Sequence, residues 1–161
     1  MKAPALPGLS IWHPARLIGT WFGAGLLPWA PGSWGSLAAL PFAWGIYAMA
    51  GSIGLAVAAA CAFALGWWAA RIIVERGGVQ DPGAIVIDEV AGQWLTLVAA
   101  TPDPTAYGLA FLLFRAADIL KPWPAGWLDR NIGGGLGVML DDVAAAIYAA
   151  AGLTLILFLT R

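Results

Sequence analysis

Apolar residues fill five long stretches of this chain, and its polar residues collect between and at the fronts of them. The stretches run from about Ser36 to Ala50 (containing Pro41), Ser52 to Val74, Ala84 to Ala100, Thr105 to Leu120 and Val138 to Thr160. No residue between Leu17 and Ala70 carries a formal charge. At about 1.5 Å per residue the second and fifth stretches can cross a hydrocarbon core of about 30 Å, and the other three are marginal. Open strands leave backbone groups unsatisfied in lipid, so each stretch reads as helix. The expected fold is all-α: a polytopic membrane bundle of about five hydrophobic helices, one membrane-embedded domain over residues 1–161.

Punctuation between the stretches agrees with this. Asp81-Pro82 reads as an N-cap followed by proline at the first helical position. Pro102 and Pro104 separate the third stretch from the fourth, and Pro122 and Pro124 stop the fourth. If the N-terminus is cytoplasmic, Lys2, Arg16, Arg71, Arg76, Arg115, Lys121 and Arg130 all fall on that side, and Arg161 alone lies outside. The same threading gathers the glycine-rich stretch 19–36, Asp81, Asp88, Glu89, Asp118, Lys121, Asp129, Asp141 and Asp142 at one membrane face, which is expected to be cytoplasmic.

Composition sharpens the picture. Hydrophobic residues make up 61% and charged residues 11% of 161 residues, too greasy for a small water-soluble domain. The net charge of −1 leaves no nucleic-acid footprint. The N-terminal stretch lacks the apolar core of a signal peptide. The lone Cys61 excludes an intrachain disulfide and reads as a small buried apolar residue. His13 reads as incidental. Sequence leaves the oligomeric state open.

Chemistry concentrates in two acidic doublets, Asp88-Glu89 and Asp141-Asp142. A carboxylate near hydrocarbon costs roughly 2.5–3.5 kcal/mol on insertion scales. Four together repel unless something positive lies between them, and a hard divalent cation such as Mg²⁺ meets that need. Glu89, Gln93 and Thr96 share one helical face by their spacing. The glycines 133–135 and 137 read as a loose loop before a helix opening around Asp141-Asp142. Arg115, Asp118 and Lys121 lie on one broad helix side; Lys121 suits phosphate as a point charge, and Arg115 and Arg130 offer forked donors. The stretch 19–37 has the glycine, serine and threonine content of an oxyanion cradle. Trp123 and Trp127 fit an interfacial aromatic belt.

Absences narrow the mechanism. Only His13 is available as a histidine nucleophile. No CxxxxxR loop, no DxDx[TV] motif and no CDP-alcohol transferase pattern is present. Metal-activated water remains, with a carboxylate as general base and Lys or Arg on the phosphate. A carrier using its acids as an ion or proton relay is the alternative from another class.

The stretches GTWFGAGLLPWAPGSWGSLAALPF, DPGAIVIDEVAGQW, FRAADILKPWP and DRNIGGGLGVMLDDVAAA resemble the phosphatidylglycerophosphatase A family. The resemblance spans about residues 16 to 150, in family order. It implies a Mg²⁺-dependent enzyme of the bacterial inner membrane that hydrolyses phosphatidylglycerol phosphate to phosphatidylglycerol and phosphate, its partner being a membrane phospholipid. Matched motifs make Asp81, Asp88, Glu89, Asp118, Lys121, Asp129, Asp141 and Asp142 the polar site. Thr20, Gly32, Ser33, Gly35 and Ser36 match the glycine-rich block. Asp88, Glu89, Asp118, Asp141 and Asp142 are then the expected metal ligands. Asp81, Lys121 and Asp129 are the expected catalytic groups, and Thr20, Ser33, Ser36, Arg115 and Arg130 the expected substrate contacts. Pro82 stands where some members have His, and Gly133 where many have Lys or His, so a basic phosphate contact is either missing here or supplied by Arg130.

Overall fold

The computed structural model describes residues 9–77 and 82–160. Its regular elements are all helical: α1 (Pro14–Gly19), α2 (Pro31–Gly77), α3 (Ile87–Leu97), α4 (Pro104–Leu120), α5 (Ala125–Asn131) and α6 (Gly134–Leu159), with a short 3-10 turn at Ala24–Leu26. The proposed N-cap Asp81 lies outside the described residues.

α2 is a hairpin of two helices. Gly51 has φ 64° and ψ −165°, a conformation essentially reserved for glycine. Ile46 before the break and Ala58 and Ala62 after it line one crevice, so the two halves lie side by side. This is the break expected between the first and second apolar stretches. α3 sits innermost. Val90, Ala91, Trp94 and Leu97 are among its buried residues, and its Trp94 Nε1 donates to the Ala39 carbonyl of α2 at 2.9 Å. α6 packs on α2, α3, α4 and α5.

α4 follows its sequence signals closely. The Asp103 carboxylate accepts from the Ala106 N–H at 2.8 Å, and Pro104 occupies the first turn. Lys121 ends the helix with φ 45°, just before Pro122.

Four expectations need correction. First, among the described residues only Pro31–Gly77 and Gly134–Leu159 are long and apolar enough to cross a membrane by length and composition. α3 has 11 residues, about 16 Å of helix, or half a hydrocarbon core. Five full spans are therefore not established. Second, α3 begins at Ile87 rather than at Pro82. The segment before it is held outside the helix, where the Val86 N–H donates to the Gly19 carbonyl at 2.8 Å. Third, α6 begins at Gly134 rather than around Asp141. Its glycines serve close packing: a Cβ on Gly135 would lie 2.4 Å from the Arg71 nitrogen, and one on Gly137 would strike the Ile132 carbonyl. Fourth, Cys61 is exposed, which is inexpensive if lipid is the solvent.

The exterior supports membrane association. Met49, Ile53, Leu112, Leu120, Trp123 and Phe158 are all more than half exposed. Leaving such side chains in water forgoes roughly 1.5–3 kcal/mol each.

Candidate active site

Three helix N-termini meet at one cavity of about 300 Å³. Pro31 and Gly32 from the first turn of α2, Asp88 and Glu89 from the first turn of α3, and Gly133 and Gly134 from the start of α6 all line it. Each N-terminus carries unpaired N–H groups and a partial positive charge, which favours anions there. The C-terminal end of α4 supplies Arg115, Asp118 and Lys121. α5 supplies Asp129, and α6 supplies Asp141 and Asp142 from two turns inside the helix.

Among the described residues, six carboxylates therefore share the cavity wall with two side-chain cations. Arg115 lies 2.6 Å from Asp118 and 3.6 Å from Glu89. Lys121 lies 2.5 Å from Asp129 and 2.7 Å from Asp141. Partial burial works against the Lys121 ammonium, but its bonds to Asp129 and Asp141 outweigh that penalty and hold its pKa above the ordinary lysine value. Lys121 is therefore a fixed positive charge at any physiological pH.

The two cations leave much of the acidic surface unmatched. Asp88 Oδ1, Glu89 Oε2, Asp141 Oδ1 and Asp142 Oδ2 are buried with no hydrogen-bond partner among the described residues. Unpaired buried carboxylate oxygens are expensive. Their arrangement suits a hard cation. One oxygen each from Asp88, Glu89 and Asp142 lie within 4.8 Å of one another, as do oxygens of Asp118, Asp141 and Asp142. Asp142 belongs to both triads. All are oxygen donors, the ligand chemistry of Mg²⁺ and Ca²⁺.

Backbone close approach makes this geometry attainable. A Cβ on Gly32 would lie 2.0 Å from Glu89 Oε1 and 3.0 Å from Arg115 Nη1, so any larger residue there would push that ion pair aside. A Cβ on Gly92 would strike the Phe114 ring at 2.6 Å and come within 3.2 Å of the Asp142 carbonyl. Gly92 thus lets α3, α4 and α6 close on one another.

The structure brings Asp88, Glu89, Arg115, Asp118, Lys121, Asp129, Asp141 and Asp142 together, as the sequence suggested. Thr20, Ser33, Ser36 and Arg130 do not line the cavity. Thr20 Oγ1 donates to the Arg16 carbonyl at 2.8 Å and accepts from the Gly23 N–H at 3.1 Å. Buried Ser36 Oγ donates to the Gly32 carbonyl at 3.0 Å. Both hydroxyls serve local backbone. Much of the glycine-rich block packs on the segment leading into α3, with Gly25 against Ala84 and Gly35 against Val86. His13 likewise caps α1, its Nδ1 accepting from the Ala15 N–H at 3.2 Å. Ala30 and Pro31 of the stretch 19–36 do line the cavity; sequence reasoning did not single out Gly83 and Ile132, which carry no side-chain chemistry to flag them.

Comparison with known proteins converges on one family. The family model for Phosphatidylglycerophosphatase A matches residues 17–157. The Escherichia coli K12 protein named Phosphatidylglycerophosphatase A is 37% identical over 157 residues, covering 92% of this chain and 87% of that protein. The Haemophilus influenzae protein of the same name is 39% identical over 145 residues, covering 89% of each. A Bacteroides thetaiotaomicron protein, 38% identical over 146 residues and covering 83% of this chain and 87% of its own length, carries a provisional name as a phosphatidylinositol-3-phosphatase. No solved structure matches. With the match running from within α1 to within α6, the chain belongs to the phosphatidylglycerophosphatase A family.

Proposed function

We propose that this protein is a Mg²⁺-dependent phosphatase of the bacterial inner membrane, converting phosphatidylglycerol phosphate to phosphatidylglycerol and phosphate at a cavity facing the cytoplasm. The observation that carries the reading is the pair of overlapping carboxylate triads sharing Asp142, with orphaned oxygens in both. Among the described residues, six carboxylates against two cations leave four negative charges in excess if all are ionised, the charge that two divalent cations would balance. Asp88, Glu89, Asp118, Asp141 and Asp142 would hold them. When bound, such a cation polarises the phosphate and makes water a nucleophile at neutral pH.

The remaining roles fall to this chain's own groups. Lys121 and Arg115 bind phosphate oxygens, Lys121 as a permanent ammonium and Arg115 as a forked donor. The first turns of α2 and α6 add backbone N–H groups at the same cavity. Asp129 is exposed and is tethered by Lys121, which places a carboxylate at the cavity rim for proton transfer to or from water. Asp81 shares that candidacy on the resemblance alone. The headgroup reaches the cavity from the membrane surface while the lipid tails stay at bilayer depth.

Phosphate release from phosphatidylglycerol phosphate by the purified protein, with Mg²⁺ and with a chelator, tests this. Release that stops with chelator and returns with Mg²⁺ is expected. Release indifferent to chelator removes the metal. Ion flux in proteoliposomes without phosphate release replaces the enzyme by the carrier.

A further inference from the structure

α2 and α4 both line the cavity, through Gly32 and Arg115, yet they touch each other little. Further along the same two helices lies an apolar groove walled by Leu40, Pro41, Trp44, Gly45, Tyr107 and Gly108. Gly108 is two helical turns from Arg115 on one face of α4, and Leu40 a similar distance from Gly32 along α2. At 1.5 Å per residue the groove therefore begins about 10–12 Å from the cavity. A Cβ added at Gly45 or Gly108 would meet nothing within 4 Å, so both glycines face open space. The rings of Trp44 and Tyr107 meet edge to face at 5.1 Å across the groove. A lipid tail of ordinary length, about half a 30 Å core, covers that distance.

A second apolar groove, between α2, α3 and α6, is lined by Ala60, Leu95, Leu140 and Val143 among others. Leu140 and Val143 lie on the side of α6 turned away from Gly137, Val138 and Asp141, which line the cavity. Met139 packed on Gly66, where a Cβ would come within 2.7 Å, stands beside it. Both grooves are walled by helices that also line the cavity; the α2–α4 groove is the roomier, about 610 Å³ against about 330 Å³.

We propose that the groove between α2 and α4 holds one acyl chain of the glycerophospholipid whose phosphate enters the cavity; this rests on the lipid-phosphatase reading above. Seating the chain fixes the headgroup relative to the carboxylates, an orientation that a freely diffusing lipid lacks. It also makes full-length lipid a better substrate than a short-chain analogue carrying the same headgroup.

The test is steady-state hydrolysis of dioleoyl and dihexanoyl phosphatidylglycerol phosphate by wild type, Gly108→Phe and Ala60→Phe in mixed micelles. Gly108→Phe fills open space, so an unchanged melting temperature is expected. Its KM for the dioleoyl lipid rises about tenfold, the effect of losing a few buried methylenes, while dihexanoyl hydrolysis and both Ala60→Phe activities stay within about twofold. Equal losses on both lipids, no loss on either, or chain-length discrimination by Ala60→Phe in place of Gly108→Phe would each overturn the groove assignment. Wild type inactive on both lipids would instead sink the phosphatase reading and the groove with it.

Discussion

The two acidic doublets sit in different settings. Asp88 and Glu89 occupy the first turn of α3, where the helix N-terminus favours negative charge, and Glu89 has Arg115 beside it. Asp141 and Asp142 lie two turns inside α6, beyond the reach of the helix end. Asp141 has Lys121; Asp142 is 3% exposed and has no basic partner among the described residues. A structural role explains the first doublet and Asp141 in part and does nothing for Asp142. Asp142 is where stability is sacrificed, and it is also the member common to both triads. Sites of this kind typically trade stability for function.

That contrast is sharpest at Asp142→Asn. Phosphate release is expected to fall about 10³-fold, the upper range for losing one charge-stabilising group at a reacting centre. The metal-free variant should melt at a higher temperature than wild type, because a buried unpaired charge is gone. Asp88→Asn should gain less stability, since its helix end already helps. Equal gains from the two, measured by thermal unfolding in chelator, would erase the distinction between the doublets.

Gly32→Ala comes next. Its methyl would sit on Glu89 Oε1, and a displacement near 1 Å at a site of this kind costs about 10²-fold in rate. Assay of phosphate release with a circular dichroism control checks it; near-normal turnover would free Glu89 from its assigned place. Lys121→Met should raise KM for the lipid about tenfold, as expected for one lost charge-assisted contact, with a smaller change in kcat. A kcat defect with unchanged KM would move Lys121 from binding to chemistry. The smallest effect belongs to Glu75→Ala. Its ion pair with Arg71 spans one helical turn on an open surface, and melting temperature and activity should both stay where they are.

The legible part of this molecule was its side-chain chemistry. Apolar stretches marked helices because lipid leaves the backbone no other choice, and the acids that looked misplaced there do line one cavity. Asp103-Pro104 announced α4 for the reason its cap shows. What stayed hidden depends on backbone meeting backbone. Gly133 to Gly137 look the same in a loose loop and in a helix packed hard against Arg71 and Ile132. Thr20 and Ser36 look the same whether a hydroxyl serves a ligand or a carbonyl of its own helix, and here each takes the local bond. α5 is seven residues long, too short for its pattern to show, although it carries Asp129. Apolarity also measures solvent preference better than length, so the 11 residues of α3 read as a longer, spanning helix.

Gly135 and Gly137 have a consequence beyond packing. With one seated on the Arg71 backbone and the other under the Ile132 carbonyl, α6 is keyed at fixed height and rotation before its acids begin. Inserting one residue between Gly137 and Asp141 would swing the doublet by about 100°. The number of residues from keyway to carboxylate is therefore a constraint of its own, separate from which side chains line the cavity.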